Sequence, residues 1–389
     1  MKKNVVILGS TGSIGINSLE VLSLHSKDYN IYGLAADSSK DVLLNQCKEF
    51  KPKYIYLSDE SDANDVNLKI KELGISTEVL FGKTELNNLA SKSEVDIVIC
   101  SISGSAGLES SISAVKSGKK ILLANKESLV MCGRLFIDLA KKHKATILPV
   151  DSEHNALHQC FFNNENDTNV EKIILTASGG PFLNKDIHSF NNISVEEALN
   201  HPTWSMGKKI SIDSATMMNK GLEIIEAMHL FDLKSSQIEV IIHPQSLIHS
   251  MVCYCDGSII AQASKNDMKI PISYCLGWPK RINSGISSLN FTSQAPFTFQ
   301  EVSKERYPCF FLAKEVAQEG DSLPTAMNAA NEEAVLAFID KKIKFTDIYK
   351  IINDTLNTQE KIRLKSLEDV IDVDQNSRNS AKKLVESYN

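Results

Sequence analysis

Over the first 150 residues, short apolar runs alternate with longer stretches in which apolar positions recur at helical spacing. The runs fall at Asn4–Leu8, Asn30–Ala36, Tyr54–Leu57, Asp96–Ile102, Lys120–Ala124 and Thr146–Pro149, and most of the charge lies between them. A short apolar run bounded by turn residues suits a strand covered on both faces. Helical patterning from Ser13 to about His25 separates the first two runs. Strands that alternate with helical segments build βαβ units, so residues 1–150 are expected to form one Rossmann-like, doubly wound α/β domain.

From Asp151 the pattern changes. Lys172–Ala177 reads as a strand, Ser178–Pro181 as a turn and Ser194–Asn200 as a short helix. Residues 201–207, His-Pro-Thr-Trp-Ser-Met-Gly, suit neither helix nor strand. Ala215–Phe231 reads as one helix, while Val240–Ile242, Leu247–Tyr254 and Ser258–Ala263 alternate like antiparallel strands. Residues 151–277 are thus expected to be an α+β domain. Residues 278–308, polar and broken by Pro279, Pro296 and Pro308, read as a linker. Residues 309–389 read as a helical bundle without chemistry of its own. In it Thr346 is expected to cap the helix opening at Asp347, and Ser366 with Asp369 has capping-box spacing.

Composition narrows the class. The 389 residues carry 42 Lys plus Arg against 48 Asp plus Glu, and 42 − 48 = −6, which argues against a phosphate-backbone binder. No apolar run approaches the roughly 20 residues of a membrane helix. The eight cysteines are scattered without C-x-x-C spacing, and Cys253 with Cys255 would share one strand face. They read as small buried hydrophobes in a reducing compartment. Met1-Lys2-Lys3-Asn4 runs straight into a strand, leaving no room for a targeting segment, so a cytoplasmic location is expected.

Candidate chemistry gathers after strands. Gly9-Ser-Thr-Gly12-Ser-Ile-Gly15 joins the first strand to the first helix, where glycines permit a tight turn and the helix start offers N–H groups to a pyrophosphate. After the second strand stand Asp37, Ser38 and Ser39, then Lys40. A carboxylate there accepts from a ribose 2′-hydroxyl and repels a 2′-phosphate, so Asp37 taken alone favours NAD, although Ser38, Ser39 and Lys40 could bind a phosphate if Asp37 points away. Asn125-Lys126-Glu127 follows the fifth run and is either a solvated helix cap or a cationic group near nicotinamide and substrate. Asp151-Ser152-Glu153 follows the last, and two carboxylates on one loop can converge on a hard cation. On the helical stretch around Met218, Asn219, Glu223 and Glu226 share one face, offering a further carboxylate suited to Mg²⁺ or Mn²⁺ rather than Zn²⁺. Solvated acids on a cap and a helix would give the same spacing. His154 and His158 do not make the H-E-x-x-H order of a zinc protease and read as packing or carboxylate-fixing residues. Ser178-Gly179-Gly180, Ser214, Asn219 and Lys220 look like a phosphate cradle, although singly each suits a turn or a cap. The 201–207 loop, with His201 and Trp204, has the make-up of a lid.

Several of these blocks closely resemble the 1-deoxy-D-xylulose 5-phosphate reductoisomerase family: Gly9–Gly15, Leu122–Leu129, Pro149–Asn155, Ser178–Phe182, His201–Gly207, Asp213–Glu223, and His243–Ser246 through His249–Met251, in one collinear order. The resemblance implies conversion of 1-deoxy-D-xylulose 5-phosphate into 2-C-methyl-D-erythritol 4-phosphate in the non-mevalonate isoprenoid pathway, with NADPH, Mg²⁺ or Mn²⁺, and a homodimer. By motif it implies Asp151, Glu153 and Glu223 as metal ligands. Ser152, Ser178, His201, Ser214, Asn219 and Lys220 would hold the sugar phosphate, with Lys126 near its hydroxyls. Thr11, Gly12, Ser13, Ile14, Asn125, Glu127 and Gly207 would contact the dinucleotide. Trp204 and Met206 would close over the site, with His249 nearby. The implied reaction is a carbon–carbon bond shift to a branched aldehyde, then hydride reduction. One departure stands out: the family usually has Gly, a basic residue and Asn where this chain has Asp37, Ser38 and Ser39, so relaxed or NADH-leaning selectivity is a live alternative. A simple metal-assisted dehydrogenase would not need the phosphate cradle, and a silent dinucleotide sensor would not need the three carboxylates together.

Overall fold

A computed structural model of the chain describes residues 2–161, 169–204, 206–294 and 296–388. The fold divides into two compact units. The first comprises Met1–Ser128, Phe136–Asn155 and Asp267–Ser287, and the second Leu129–Leu135, Ala156–Asn266 and Ser288–Asn389. These units cut across the segments expected from sequence.

In the first unit seven strands form one sheet: β1 (Lys3–Leu8), β2 (Tyr29–Ala35), β3 (Tyr54–Leu57), β4 (Glu78–Phe81), β5 (Ile97–Cys100), β6 (Lys120–Leu123) and β7 (Thr146–Pro149). The order is β4-β3-β2-β1-β5-β6-β7 and every pair is parallel. This is the doubly wound arrangement the alternation of runs predicts, with its reversal between β1 and β5. Strand β4 is the addition. At the sheet's edge Glu-Val-Leu-Phe is only partly buried, so it lacks the apolar run that marks the others. Register places Leu8 beside Cys100, Cys100 beside Leu123, and Leu123 beside Pro149. The segments that follow β1, β5, β6 and β7 therefore leave from one edge. Residues 267–287 belong here because helix Lys269–Gly277 lies on this sheet. Its Ile272, Cys275 and Leu276 join the core, Cys275 Sγ donates to Pro149 O at 3.1 Å, and Lys120 Nζ donates to Leu276 O at 3.0 Å.

The second unit holds β8 (Val170–Ala177), β9 (Ile238–Ile242), β10 (Ile248–Tyr254) and β11 (Ile259–Ala263) in the order β11-β10-β8-β9. β10 runs antiparallel to both β8 and β11, as the alternation predicts, but β8 and β9 are parallel. Four helices, Pro308–Glu319, Leu323–Ile339, Asp347–Asn357 and Leu367–Ser387, share one apolar core with this sheet. Ser366 and Asp369 do form the expected capping box. Thr346 does not cap: its hydroxyl donates instead to Asn191 Oδ1 at 2.7 Å.

The eight cysteines are free thiols, all buried except Cys255. Cys253 lies in β10 whereas Cys255 falls just past its end, so the two do not share a strand face. Burial lifts the Cys100, Cys132 and Cys309 thiols to about 12. Among the described residues no helix is long and apolar enough to cross a membrane.

Candidate active site

The glycine turn sits where the sheet order reverses. Gly9 takes φ +88°, and a Cβ on it would stand 2.8 Å from Ser101 O beyond β5. Gly15 lies in the first turn of helix Ser13–Leu24, where a Cβ would come within 2.4 Å of Gly9 O and Ser10 Cα. Only glycine lets the helix start so close to the strand end. Gly12 is the N-cap, no side chain caps the helix, and its first turn carries no acid, so its leading N–H groups suit an anion. Thr11 and Ser13 flank that start, while Ile14 packs against the core. Asp37, Ser38 and Ser39 are exposed just past β2.

The edge beyond β6 and β7 carries the charges. Asn125 is spent inside the chain: its amide donates to Ile102 O and, at 2.8 Å, to Gly104 O, while its Oδ1 accepts from Ser128 N at 2.8 Å. It thus ties the segment after β5 to the segment after β6. Glu127 opens helix Glu127–Cys132 and is buried. Between them Lys126 reaches across to β7, its Nζ 2.7 Å from Asp151 Oδ2 in a nearly buried pair. The second Asp151 oxygen accepts from Glu153 N at 3.2 Å and lies 3.4 Å from His154 Nδ1, so Lys126 and the Glu153 amide hold the carboxylate from two sides. Ser152 Oγ donates to Glu153 Oε2 at 2.6 Å. His154 is buried beside the Asp151 carboxylate, the approach being an ion pair only when its ring is protonated.

In the second unit the helix expected over Ala215–Phe231 starts only at Met218, and a separate helix not expected from the sequence precedes it. Lys208–Ala215 ends at Thr216, Met217 takes a left-handed φ of 57°, and Met218–Leu230 begins afresh. No glycine or proline marks the break, which is why the sequence hides it. Asp213 anchors the first helix: buried, it accepts from Asn331 Nδ2 at 2.8 Å and pairs with Lys209 Nζ at 2.9 Å. The break gives Met218–Leu230 its own N-terminus, with Asn219 and Lys220 in the first turn. Asn219 Nδ2 donates to Glu223 Oε1 at 2.5 Å, and Lys220 Nζ pairs with Glu223 Oε2. Glu223 is fully buried, so its charge depends on these partners. Leu222 and Ile225 turn to the core as the spacing requires, and burial drives the His229 pKa down to about 4.

The Ser178-Gly179-Gly180 turn leaves β8 and presses on the end of the Lys208–Ala215 helix. A Cβ on Gly180, at φ +67°, would meet Ser214 O at 2.6 Å. His201 orders the opposite side. Its Nδ1 accepts from Thr203 N at 3.1 Å and Trp204 N at 3.0 Å, which leaves the proton on Nε2 to donate to Ser178 Oγ at 3.0 Å. Burial lowers the His201 pKa and so favours this neutral form. Ser178 Oγ also accepts from Gly180 N at 3.1 Å, which directs its own O–H toward an incoming acceptor. The Trp204 ring lies tilted against the His249 ring with centroids 6.4 Å apart, and His249 Nε2 meets Ser264 Oγ at 2.9 Å. Met206 is half-buried and Gly207, the N-cap of the next helix, is exposed; Ser205, within the expected lid, lies outside the described residues.

Sequence reasoning missed the residues that brace this turn. Arg306 Nη1 donates to Phe182 O at 2.6 Å and Lys185 O at 2.7 Å, and the buried Tyr307 Oη donates to Gly179 O at 2.7 Å. Both belong to the stretch that reads as a linker, where an Arg-Tyr pair before proline was the available signal.

Family models match three stretches of the chain: 1-deoxy-D-xylulose 5-phosphate reductoisomerase over residues 5–133, the C-terminal domain of that enzyme over 147–231, and the DXP reductoisomerase C-terminal domain over 263–380. A Saccharophagus degradans protein of the same name is 48% identical over 361 residues, covering 92% of each chain. One from Haemophilus ducreyi is 46% identical over 389 residues, covering 98% of each. A crystal structure of DOX-P reductoisomerase in complex with NADPH, fosmidomycin and magnesium superposes with a TM-score of 0.93 at 44% identity, covering 99% of this chain and 98% of that one. The Zymomonas mobilis enzyme in complex with NADPH gives 0.92 at 43% identity over the whole of both chains. With matches of 46–48% identity covering 92–98% of the chain, and family models spanning most of its length, the chain belongs to the 1-deoxy-D-xylulose 5-phosphate reductoisomerase family.

Proposed function

We propose that this chain catalyses the NADPH- and divalent-metal-dependent rearrangement and reduction of 1-deoxy-D-xylulose 5-phosphate to 2-C-methyl-D-erythritol 4-phosphate. The observation that carries the reading is the register of the parallel sheet, which sets the glycine turn, Lys126 and the Asp151–Glu153 segment along one edge. Relatives crystallised with NADPH and magnesium support it.

Asp151, Glu153 and Glu223 are the residues that would hold the metal. Their donor chemistry fits a hard cation, being all carboxylate oxygen, and the pairing of Asp151 with Lys126 and of Glu223 with Lys220 supports that reading. When bound, Mg²⁺ or Mn²⁺ supplies Lewis-acid polarisation of substrate oxygens. Lys126 offers its ammonium to the substrate hydroxyls. Ser178 and Ser214 donate hydroxyls to the phosphate, Asn219 its amide and Lys220 a full charge, with Ser152 and His201 completing the hold. The His201 Nε2 proton fixes the Ser178 rotor. Trp204 and Met206 close over the sugar beside His249 and exclude water from a reactive aldehyde. Thr11, Gly12, Ser13 and Ile14 cradle the pyrophosphate, with Gly207, Asn125 and Glu127 lining the cofactor's path.

The working form is a homodimer, a reading supported by Ile259 and Ile260, which lie exposed on the edge strand β11. Unpaired thiols throughout fit a reducing, cytoplasmic setting. The test follows nicotinamide absorbance with purified protein, 1-deoxy-D-xylulose 5-phosphate and Mg²⁺ or Mn²⁺, with the product identified by mass and carbon NMR. Metal-dependent oxidation yielding the branched product is expected. Reduction without a change of carbon skeleton would point to a plain dehydrogenase.

A further inference from the structure

β2 and β3 are parallel neighbours, with Ala35 level with Tyr56, so the segments that leave them meet at one sheet edge. Ala36 N donates to Tyr56 O at 3.0 Å and Ser58 N to Asp37 O at 3.4 Å. The start of helix Lys40–Phe50 therefore stands beside the start of helix Glu60–Glu72. That second helix begins in acid: Asp59 caps it through Asp62 N, and Glu60 and Asp62 fill its first turn. Lys40 is drawn to it, its Nζ 2.6 Å from Asp62 Oδ1 and 3.1 Å from Asp65 Oδ2. Hydrogen bonds to Asp62 and then Asp65 push the lysine's pKa above its ordinary value. The cation is fully charged and already answered.

In a doubly wound site the adenosine ribose lies past the second strand, where a carboxylate takes a 2′-hydroxyl and a 2′-phosphate demands a cation. Asp37 is exposed at that point, and Lys40 three residues on is turned toward two acids of the neighbouring helix. We propose that Lys40 is the specificity-determining residue of the ribose end, and that Asp62 and Asp65 compete with the 2′-phosphate for it, so that NADH is accepted alongside NADPH. The inference rests on the dinucleotide reading above. Lys40 stays partly exposed, so water screens the clamp and its hold is one of balance rather than a lock.

Replacing Asp62→Asn together with Asp65→Asn neutralises the clamp without shortening it. The NADPH-to-NADH ratio of kcat/KM should rise about tenfold, through KM for NADPH, the scale of one charge-assisted hydrogen bond released. Adding Lys40→Ala should return the ratio to the parental value. An unchanged ratio in the double variant would overturn the proposal, as would a rise that survives Lys40→Ala. A second measurement needs no turnover: calorimetric affinity for adenosine 2′,5′-bisphosphate relative to AMP should move in the same sense. If the parental protein bound neither nucleotide, the dinucleotide reading would fail and the inference with it. If it bound both and the variants left their ratio alone, only the assignment of Lys40 would fail.

Discussion

The two units position their functional groups by different physical means. In the first, the hydrogen-bond ladder of a parallel sheet does the placing: four strand ends are level, and whatever residue follows each is delivered to the same edge. In the second, a left-handed residue, a buried aspartate and a serine turn braced by Tyr307 set the geometry. A ladder averages over many bonds and tolerates the loss of one. An anchored turn hangs on single side chains. Variants should therefore separate the two regions.

The largest effect is expected where the comparison does not apply, at the carboxylates themselves. Asp151→Asn, Glu153→Gln or Glu223→Gln should each lower turnover about a thousandfold, the scale of several kcal/mol of lost charge stabilisation. NADPH affinity should persist, and chelation of the metal in the parental protein should reproduce the loss. Next comes the close approach in the first unit. Gly15→Ala forces a methyl onto Gly9 O and should cost about 1–3 kcal/mol by denaturant titration, with weaker cofactor binding. Gly207→Ala, whose Cβ would meet no described atom within 4 Å, is the comparison and should cost less, about 0.5 kcal/mol from the poorer N-cap. Asp213→Ala tests the anchored region. It should raise KM for the sugar phosphate about tenfold while leaving KM for NADPH alone, as expected when a buried hydrogen-bonded charge that orders a binding helix is removed. Equal changes in both constants would mean that the anchor serves the whole fold.

The smallest effect is a pH dependence. His201 has a pKa lowered by burial from its ordinary 6.5. As pH falls through 6.5 the unfolded chain takes up this proton before the folded one does. The group's contribution to stability is therefore whole above 6.5 and is lost as pH drops through the lower, folded value. Protonating Nδ1 would also displace Thr203 N and Trp204 N. KM for the sugar phosphate should climb on the acid side, and a His201→Gln variant should lack that limb.

The sequence made the first unit legible because its strands are apolar runs between turns and its candidate site residues sit directly after them. Only β4 escaped, being short, half-polar and at an edge. In the second unit the residues proposed as a phosphate cradle stand out in the sequence by type, but their support does not. Thr216 and Met217 carry no helix-breaking signature, and the fold rather than the local sequence imposes the left-handed turn there. Arg306 and Tyr307 were hidden for a related reason: a polar, proline-broken stretch looks slack unless its long-range partners are known. Asn125 stands where a cofactor contact is expected from its place, and its amide N–H groups are nonetheless committed to Ile102 and Gly104. Charge and amide inventories show what a residue offers, and only packing shows to whom.

The distribution of thiols has a practical corollary. With seven cysteines buried and several of their thiols pushed far above neutral pH, a maleimide reagent meets one reactive group, Cys255, at the end of β10 beside the exposed edge strand. The unmodified chain thus comes with a single built-in attachment point for a fluorophore or spin label. How completely Cys255 is labelled at high and low protein concentration would report directly on whether a second copy covers that end of the sheet.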